Sequence, residues 1–424
     1  MAITSATQPS ALPHARRMVV GVAAAGFAVF ALLYATQPVL PQLAAEFRLG
    51  PGGASIAVGA ATGALALAVV PVAMLSEVVG RRPVMVTSVV LAALLGLALP
   101  FAPGFGVLVL LRVVQGVAIA GLPAVAMAYL AEQVAAARAG AGVGAAIGAM
   151  VAGNSAGGMA GRLVAGIAAG PLGWRVAVGL VGVFGAVCAV VVVRALPPDA
   201  AARAGGTLGE HLRRTGAGLL AALSDRVLLA QYAIGALAMS SFVALYNAAG
   251  FRLTAPPLDL PPAVASLVFL AYAIGGVSSA LAGRLADRCG RPVVLLAALA
   301  VAALGAVLTA PDRLPPLMLG FALVTAGFFA AHSVAGGWVG ARAPESARGQ
   351  ASGTYLAAYY LGSSVGGGLG TQAYQAWGWF GLVGLVCAWF ALAALAVLAA
   401  RGPARAAVQP WSSPRSESLP SSER

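Results

Sequence analysis

The sequence predicts an all-α integral membrane protein whose twelve transmembrane helices form two pseudo-symmetric six-helix bundles. Three observations predict it. Of 424 residues, 60% are hydrophobic and only 9% charged, where a soluble domain carries about 25% charged residues. Long apolar runs recur along the whole chain, and ~20 residues of such a run cross a bilayer. Two short motifs also recur about half a chain apart.

Apolar runs bounded by charge or by Pro/Gly clusters place spans 1 to 6 at 18–41, 53–76, 84–101, 105–131, 140–168 and 174–196. Spans 7 to 12 follow at 226–250, 262–283, 292–310, 315–341, 350–373 and 378–400. Arg16-Arg17 before an apolar run also fits a secretory leader. That run continues from Met18 to Leu40, longer than the roughly 7–15 residues of a leader's apolar core, so it is read as span 1. The chain then divides into an N-terminal tail (1–17), a first bundle (18–196), a linker (197–225), a second bundle (226–400) and a C-terminal tail (401–424). The linker holds Arg203, Glu210, His211, Arg213 and Arg214 and reads as a polar connection with a short surface helix. The C-terminal tail, rich in Ser, Pro and Arg, and residues 1–15 are expected to be disordered.

The net charge of +13 comes from 25 basic and 12 acidic residues, and every basic residue is arginine. A nucleic-acid partner needs a wet basic face with interleaved aromatics. Here the arginines stand singly or in pairs between apolar runs, as the positive-inside rule expects, and no nucleic-acid partner is implied. With the N-terminus inside, nineteen arginines fall on the cytoplasmic side and four, Arg48, Arg175, Arg252 and Arg313, on the other. Arg112 and Arg162 fall within spans. An even number of spans returns both termini to the cytoplasm. Cys188, Cys289 and Cys387 are far apart, with no metal or disulfide spacing, so no metal or cofactor is expected. The chain has no DxxD cluster, HExxH or P-loop, which argues against an enzyme and against a self-contained ATP-driven pump.

The repeat is explicit in two places. The loop after span 2 reads Glu77-Val78-Val79-Gly80-Arg81-Arg82-Pro83; the loop after span 8 reads Gly283-Arg284-Leu285-Ala286-Asp287-Arg288-Cys289-Gly290-Arg291-Pro292. In both, an acid precedes Gly-Arg by three residues in a tight turn between apolar helices. In spans 5 and 11, Gly153-Asn154-Ser155-Ala156-Gly157-Gly158 is echoed by Gly362-Ser363-Ser364-Val365-Gly366-Gly367. Both pairs are offset by nearly the same distance, which argues for duplicated six-helix halves.

The second loop resembles the signature G-x-L-A-D-R-x-G-R of the major facilitator superfamily. The first loop is a divergent copy, with Ala73, Glu77 and Val78 at the Gly, Asp and Arg positions. Arg112-Val113-Val114-Gln115-Gly116 is similar to that family's R-x-x-Q-G motif, and span 5 resembles its G-P-x-x-G-G antiporter motif with Asn154 in place of Pro. Tyr34-Ala35-Thr36-Gln37-Pro38, Met127-Ala128-Tyr129-Leu130, Gly158-Met159-Ala160-Gly161-Arg162-Leu163 and Ala331-His332-Ser333-Val334 resemble a bacterial drug- or sugar-efflux subgroup. The resemblance covers residues 18–400 and implies a cavity lined by spans 1, 4, 7 and 10.

Each motif has a physical reading. A helix-end carboxylate beside arginines forms ion pairs that break when helices move apart. Glu77, Gly80, Arg81 and Arg82, with Gly283, Asp287, Arg288, Gly290 and Arg291, are therefore candidate cytoplasmic gate latches, or charges that only set topology. Glycines at Gly153, Gly157, Gly158 and Gly161, with Gly362, Gly366 and Gly367, let backbones approach closely. They serve static packing or a rocking interface between the two halves. Asn154 removes the kink-forming proline and weakens the case for antiport.

Arg112 lies two turns into span 4, where exposure to lipid is costly. It is either a substrate or proton-coupling site, with Gln115 on the same face, or an ordered arginine bonded to backbone carbonyls. Arg162 either joins the pathway or snorkels to the interface. A free imidazole titrates near physiological pH, so His332 is a candidate proton carrier, or a hydrogen-bonded structural residue. Tyr34, Gln37, Tyr246, Asn247 and Trp338 are candidate cavity residues or interfacial belt. All twelve acids fall in loops or at helix ends, so the cavity is biased positive, with Glu132 a secondary candidate for the proton. The expected function is proton-coupled efflux of a small molecule, drug or sugar-like, from a bacterial inner membrane by a monomer. Uptake of a small anionic metabolite is the alternative.

Overall fold

The computed structural model describes residues 11–137, 142–199 and 208–400. The expected C-terminal tail, Arg138, Arg203 and most of the expected N-terminal tail lie outside the described residues. Among those described, every regular element is helical. The first half comprises α1 (Ala11–Tyr34), α2 (Leu40–Phe47), α3 (Pro51–Val79), α4 (Arg81–Ala98), α5 (Phe105–Ile119), α6 (Gly121–Ala137) and α7 (Gly142–Ala195). After the linker helix α8 (Leu208–Ser224) come α9 (Arg226–Thr254), α10 (Pro262–Ala265), α11 (Ala273–Cys289), α12 (Arg291–Leu308), α13 (Leu314–Arg342) and α14 (Arg348–Ala400). In hydrocarbon only the chain itself can satisfy its backbone N–H and C=O groups, so these apolar runs fold as helices.

Ten segments among the described residues are long and apolar enough to cross a membrane, and two of them, Ala145–Ala195 and Glu345–Ala400, run to 51 and 56 residues. Each long one breaks at a glycine in the left-handed region, Gly173 (φ 76°) and Gly378 (φ 66°), where a Cβ would be strained. The chain therefore crosses twelve times, spans 5 and 6 being the arms of α7 and spans 11 and 12 those of α14. Below, the face where spans 1 and 7 begin is called the termini face, and the opposite one the far face.

Several predicted boundaries move. Span 1 ends at Tyr34 rather than 41, because Pro38 offers no N–H to the Tyr34 carbonyl. Gln37 N instead closes a turn on Tyr34 O at 3.0 Å, and the apolar run continues as the separate α2. The same helix starts at Ala11, inside the expected tail. Span 4 is α5 and α6, parted at Ala120, and span 8 runs from α10 through a 3-10 stretch, Ser266–Tyr272, into α11. The linker's surface helix is α8.

Within each half the same pair of spans packs most closely. α1 lies along the first arm of α7, and α9 along the first arm of α14. A Cβ on Gly153, Gly157 or Gly161 would collide with the backbone of Ala23, Phe27 or Ala31 on α1. Likewise Gly362, Gly366 and Gly370 face Ala236, Ser240 and Ala244 on α9. Small residues let these helices approach until dispersion contacts replace those with lipid. These glycines therefore do not form a rocking interface between halves, the sharper of the two sequence expectations; they join helices of one half. Small-residue spacing signals close approach without saying which helix approaches.

The halves meet through α3 against α14, and through the first arm of α7 against α10 and Ser266–Tyr272. On the far-face side, Thr371 Oγ1 donates to Ser55 Oγ (2.9 Å), Ser364 Oγ to Gly59 O (2.8 Å) and Gly52 N to Gln375 Oε1 (3.4 Å).

Candidate functional site

Between the halves lies a cavity of about 430 Å³, within the range of small-molecule sites. Tyr34, Met150, Asn154 and Arg162 line it from the first half, and Phe242, Tyr272, Phe328, His332 and Tyr359 from the second. Its wall runs toward the termini face as far as Met150 and Ser279. None of the acidic residues in the described chain is part of it.

The far end of the cavity is closed by a polar relay. Arg162, 2% exposed, donates from Nε to Gln37 Oε1 (2.6 Å) and from Nη1 to Gly158 O (2.7 Å). Gln37 Nε2 donates in turn to Asn247 Oδ1 (2.7 Å) on the second half. The guanidinium sits 4.1 Å from the Tyr34 ring and 4.4 Å from that of Tyr272, a cation–π cage. Arg162 does not snorkel, as its place near the end of span 5 had allowed. The aromatic cage and the relay hold it inward. Gln37 and Asn247 do not line the cavity; they form its roof. Tyr246 lies above them in an aromatic cluster, its hydroxyl 2.7 Å from Thr325 Oγ1 and its ring 5.0 Å from Phe321.

Arg112 stands elsewhere. It is fully buried and absent from the cavity wall. Nε donates to Ala57 O (2.8 Å), Nη1 to Leu32 O (3.0 Å) and Gln115 Oε1 (2.6 Å), and Nη2 to Leu33 O. Leu32 and Leu33 belong to the last turn of α1, whose carbonyls have no donor four residues on. Arg112 supplies that donor. Gln115 Nε2 donates to Ala92 O on α4 (2.9 Å), and Gly116 lets α5 rest on the Ala61 carbonyl of α3. The R-x-x-Q-G motif thus ties spans 1, 2, 3 and 4 together. The geometry matches the ordered buried arginine rather than a cavity residue.

His332 is in the wall. Its Nδ1 lies 2.9 Å from Tyr355 Oη, and its ring packs 4.6 Å from Tyr359 and 6.1 Å from Phe328. Trp338 is on the same helix but outside the wall. The aromatics Phe242, Tyr272, Phe328 and Tyr359 were not singled out from sequence. In a span that is apolar all round, no periodicity separates a cavity-facing ring from a lipid-facing one. Asn154 also faces the cavity, its Oδ1 buried without a hydrogen-bond partner. The stretch Gly153-Asn154-Ser155-Ala156-Gly157 reads as G-x-S-x-G, but it is continuous helix, without the strand-to-helix elbow such a nucleophile needs.

The two signature loops adopt one backbone and different contacts. Gly80 (φ 104°) and Gly290 (φ 85°) each form the single-residue turn between helices, which only glycine adopts without strain. In the first loop Arg81 Nε meets Glu132 at 3.1 Å, with Glu77 at 3.9 Å. Arg82 N donates to Asp199 Oδ1 (2.7 Å) and Arg82 Nε to Leu196 O (2.9 Å). In the second loop Asp287 and Arg288 are exposed, a Cβ on Gly283 would meet open space, and neither Asp287, Arg288 nor Arg291 forms an ion pair among the described residues. In the last turn of α13, Arg342 pairs instead with Asp225 at 2.8 Å. Asp225 also caps α9 through Val227 N and Leu228 N. The better match to the signature is thus the loop with fewer contacts.

The family model described as Major Facilitator Superfamily matches residues 22–258 and 237–422. The chain belongs to the major facilitator superfamily. It is 38% identical over 374 residues to the MFS-type transporter YybF of Bacillus subtilis, covering 88% of this chain and 91% of that one. It is 37% identical over 390 residues to the inner membrane transport protein YnfM of Escherichia coli, covering 90% of each. The fold matches a bacterial homolog of the human lysosomal transporter Spinster, in an inward-facing and unoccupied conformation (TM-score 0.71, 15% identity, 94% of this chain and 100% of that one). It also matches the nucleoside transporter NupG (TM-score 0.73, 14% identity, 91% and 100%). This major facilitator superfamily member is accordingly a multi-pass membrane transporter of small molecules and not an enzyme.

Proposed function

We propose that the protein exports a small organic molecule across the bacterial inner membrane by proton-coupled alternating access, as a monomer with cytoplasmic termini. The observation that carries this reading is the cavity between the halves, closed toward the far face by Arg162, Gln37 and Asn247. Separation of the halves at that roof, and their approach at the termini face, exposes the same wall to either side. His332, in the wall and hydrogen-bonded to Tyr355, is the proposed proton site, its imidazole having one nitrogen to accept and one to donate a proton. Glu132 is engaged with Arg81 outside the wall. In this reading the Glu77 and Asp287 loops are cytoplasmic latches that make and break as the halves rock. Uptake of a small anionic metabolite is the second reading, favoured by a wall that holds Arg162 and no carboxylate.

Everted membrane vesicles separate the two. Export predicts that a labelled panel of neutral and anionic solutes includes one that accumulates inside acidified vesicles, and that nigericin abolishes the accumulation. His332→Ala should retain binding and lose the pH-driven component. Movement of that solute out of the vesicles favours uptake, and transport indifferent to the gradient removes proton coupling.

A further inference from the structure

Arg162 carries a positive charge into a site that holds nothing negative to meet it. Its hydrogen-bond acceptors are two neutral oxygens, Gln37 Oε1 and Gly158 O. It forms no ion pair among the described residues. A guanidinium removed from water without a counter-anion is penalised by lost solvation, and the faces of Tyr34 and Tyr272 offset only part of that. Arg112 is buried too, but four oxygens accept from it and it is not in the wall of this cavity. Arg162 borders open space, so an incoming anion can reach it. Below it the wall is rich in aromatic rings: Phe242 and Phe328 stack at 4.0 Å, and Phe328 is parallel to the His332 ring. A ligand that suits both ends has a planar aromatic body and one carboxylate.

The same guanidinium holds the roof together. Gln37 uses its oxygen to accept from Arg162 and its amide nitrogen to reach Asn247 across the halves. On the other side of this roof is a second cavity, about 180 Å³, lined by Pro38, Gly250, Ser266 and Phe269. The relay is therefore a thin partition. A carboxylate is a stronger acceptor than an amide oxygen, and it takes a guanidinium bidentately. Bound at Arg162, it displaces Gln37 Oε1, and Gln37 then loses the contact that aims its amide at Asn247. We infer that an aromatic carboxylate is both the ligand of Arg162 and the trigger that releases the Gln37–Asn247 tie, coupling substrate recognition to opening of the far face. This rests on the cavity being the transport pathway.

The test uses the full chain in lipid nanodiscs, with benzoate and 2-naphthoate as probes and their neutral amides as controls. Calorimetry should show the acids binding at least tenfold more tightly than the amides, and Arg162→Gln should remove that preference. Should Arg162→Gln fail to fold, the acid-to-amide comparison on the unsubstituted protein decides alone. Spin labels at Pro103→Cys and Pro311→Cys, on far-face loops of the two halves and in a background lacking Cys188, Cys289 and Cys387, report the gate. Benzoate should lengthen that distance, and Gln37→Leu should lengthen it without ligand while preserving benzoate binding. No binding of either acid, or equal binding of acid and amide, overturns the ligand class. Binding without a change in distance overturns the trigger. A distance that responds to pH but not to benzoate sinks this inference and leaves alternating access standing; a distance fixed under every condition sinks both.

Discussion

Replacing Arg112 by methionine tests whether the R-x-x-Q-G arginine holds the fold or serves the pathway. The substitution keeps a long apolar stem and removes every donor to Ala57 O, Leu32 O, Leu33 O and Gln115 Oε1. At the roughly 0.6 kcal/mol average for hydrogen bonds between membrane helices, four contacts give a floor of about 2 kcal/mol. Stranding a buried carbonyl costs about 1–3 kcal/mol each, which raises the expected loss to several kcal/mol. Arg112→Lys should lie between, because one ammonium cannot span acceptors on three helices. Thermal unfolding followed by size-exclusion chromatography should show Arg112→Met least stable, Arg112→Lys intermediate, and Arg162→Gln close to the unsubstituted protein. Unchanged stability and yield in Arg112→Met, together with lost transport, would refute this reasoning and return the residue to the pathway.

Three further outcomes are expected. Gly366→Ala drives a methyl into Ser240 of α9, whereas Gly368 has nothing within 4 Å; overpacking should destabilise the first by about 1–3 kcal/mol and leave folded yield of Gly368→Ala unchanged. Glu132→Gln removes the closer carboxylate of Arg81, a partly buried pair worth up to about 1 kcal/mol, so spin-label distances across the termini face should shift their populations by no more than about fivefold. On the far face, the Trp174 indole and then Arg175 hold the Glu46 carboxyl below its ordinary value of 4.5. A depressed carboxylate stabilises the fold above that value, and the contribution fades as pH falls through the lower folded-state value. Glu46→Gln should therefore reduce thermal stability at pH 7 and match the unsubstituted protein in strong acid.

Much of the fold was legible because lipid imposes it. Runs long enough to cross could form only helices, and Gly80 and Gly290 marked equivalent turns in both copies. The end of span 1 was not legible from hydropathy, since α2 is nearly as apolar as the span before it. Pro38 was the available signal, through its missing N–H. The site was less readable. Arg112 and Gln115 were rightly placed together, yet burial beside a seam of four helices and burial beside a cavity look alike in a string of letters. Arg162 shared the G-M-A-G-R-L stretch with the packing glycines, and nothing local indicated that Gln37, distant in sequence, would stand against it. The pairing of Gln37 with Asn247 links residues 210 apart and is a product of the assembled halves alone.

Glu132 near the end of span 4 and Arg342 at the end of span 10 carry opposite signs, one facing Arg81 and the other Asp225. Descent from a common ancestor has therefore not left interchangeable parts. A chimera carrying the first six spans twice would leave Asp225 without Arg342, the cation whose attraction now closes the second half onto its linker. Fusions that graft either half onto a relative must carry the matching acid or base with it.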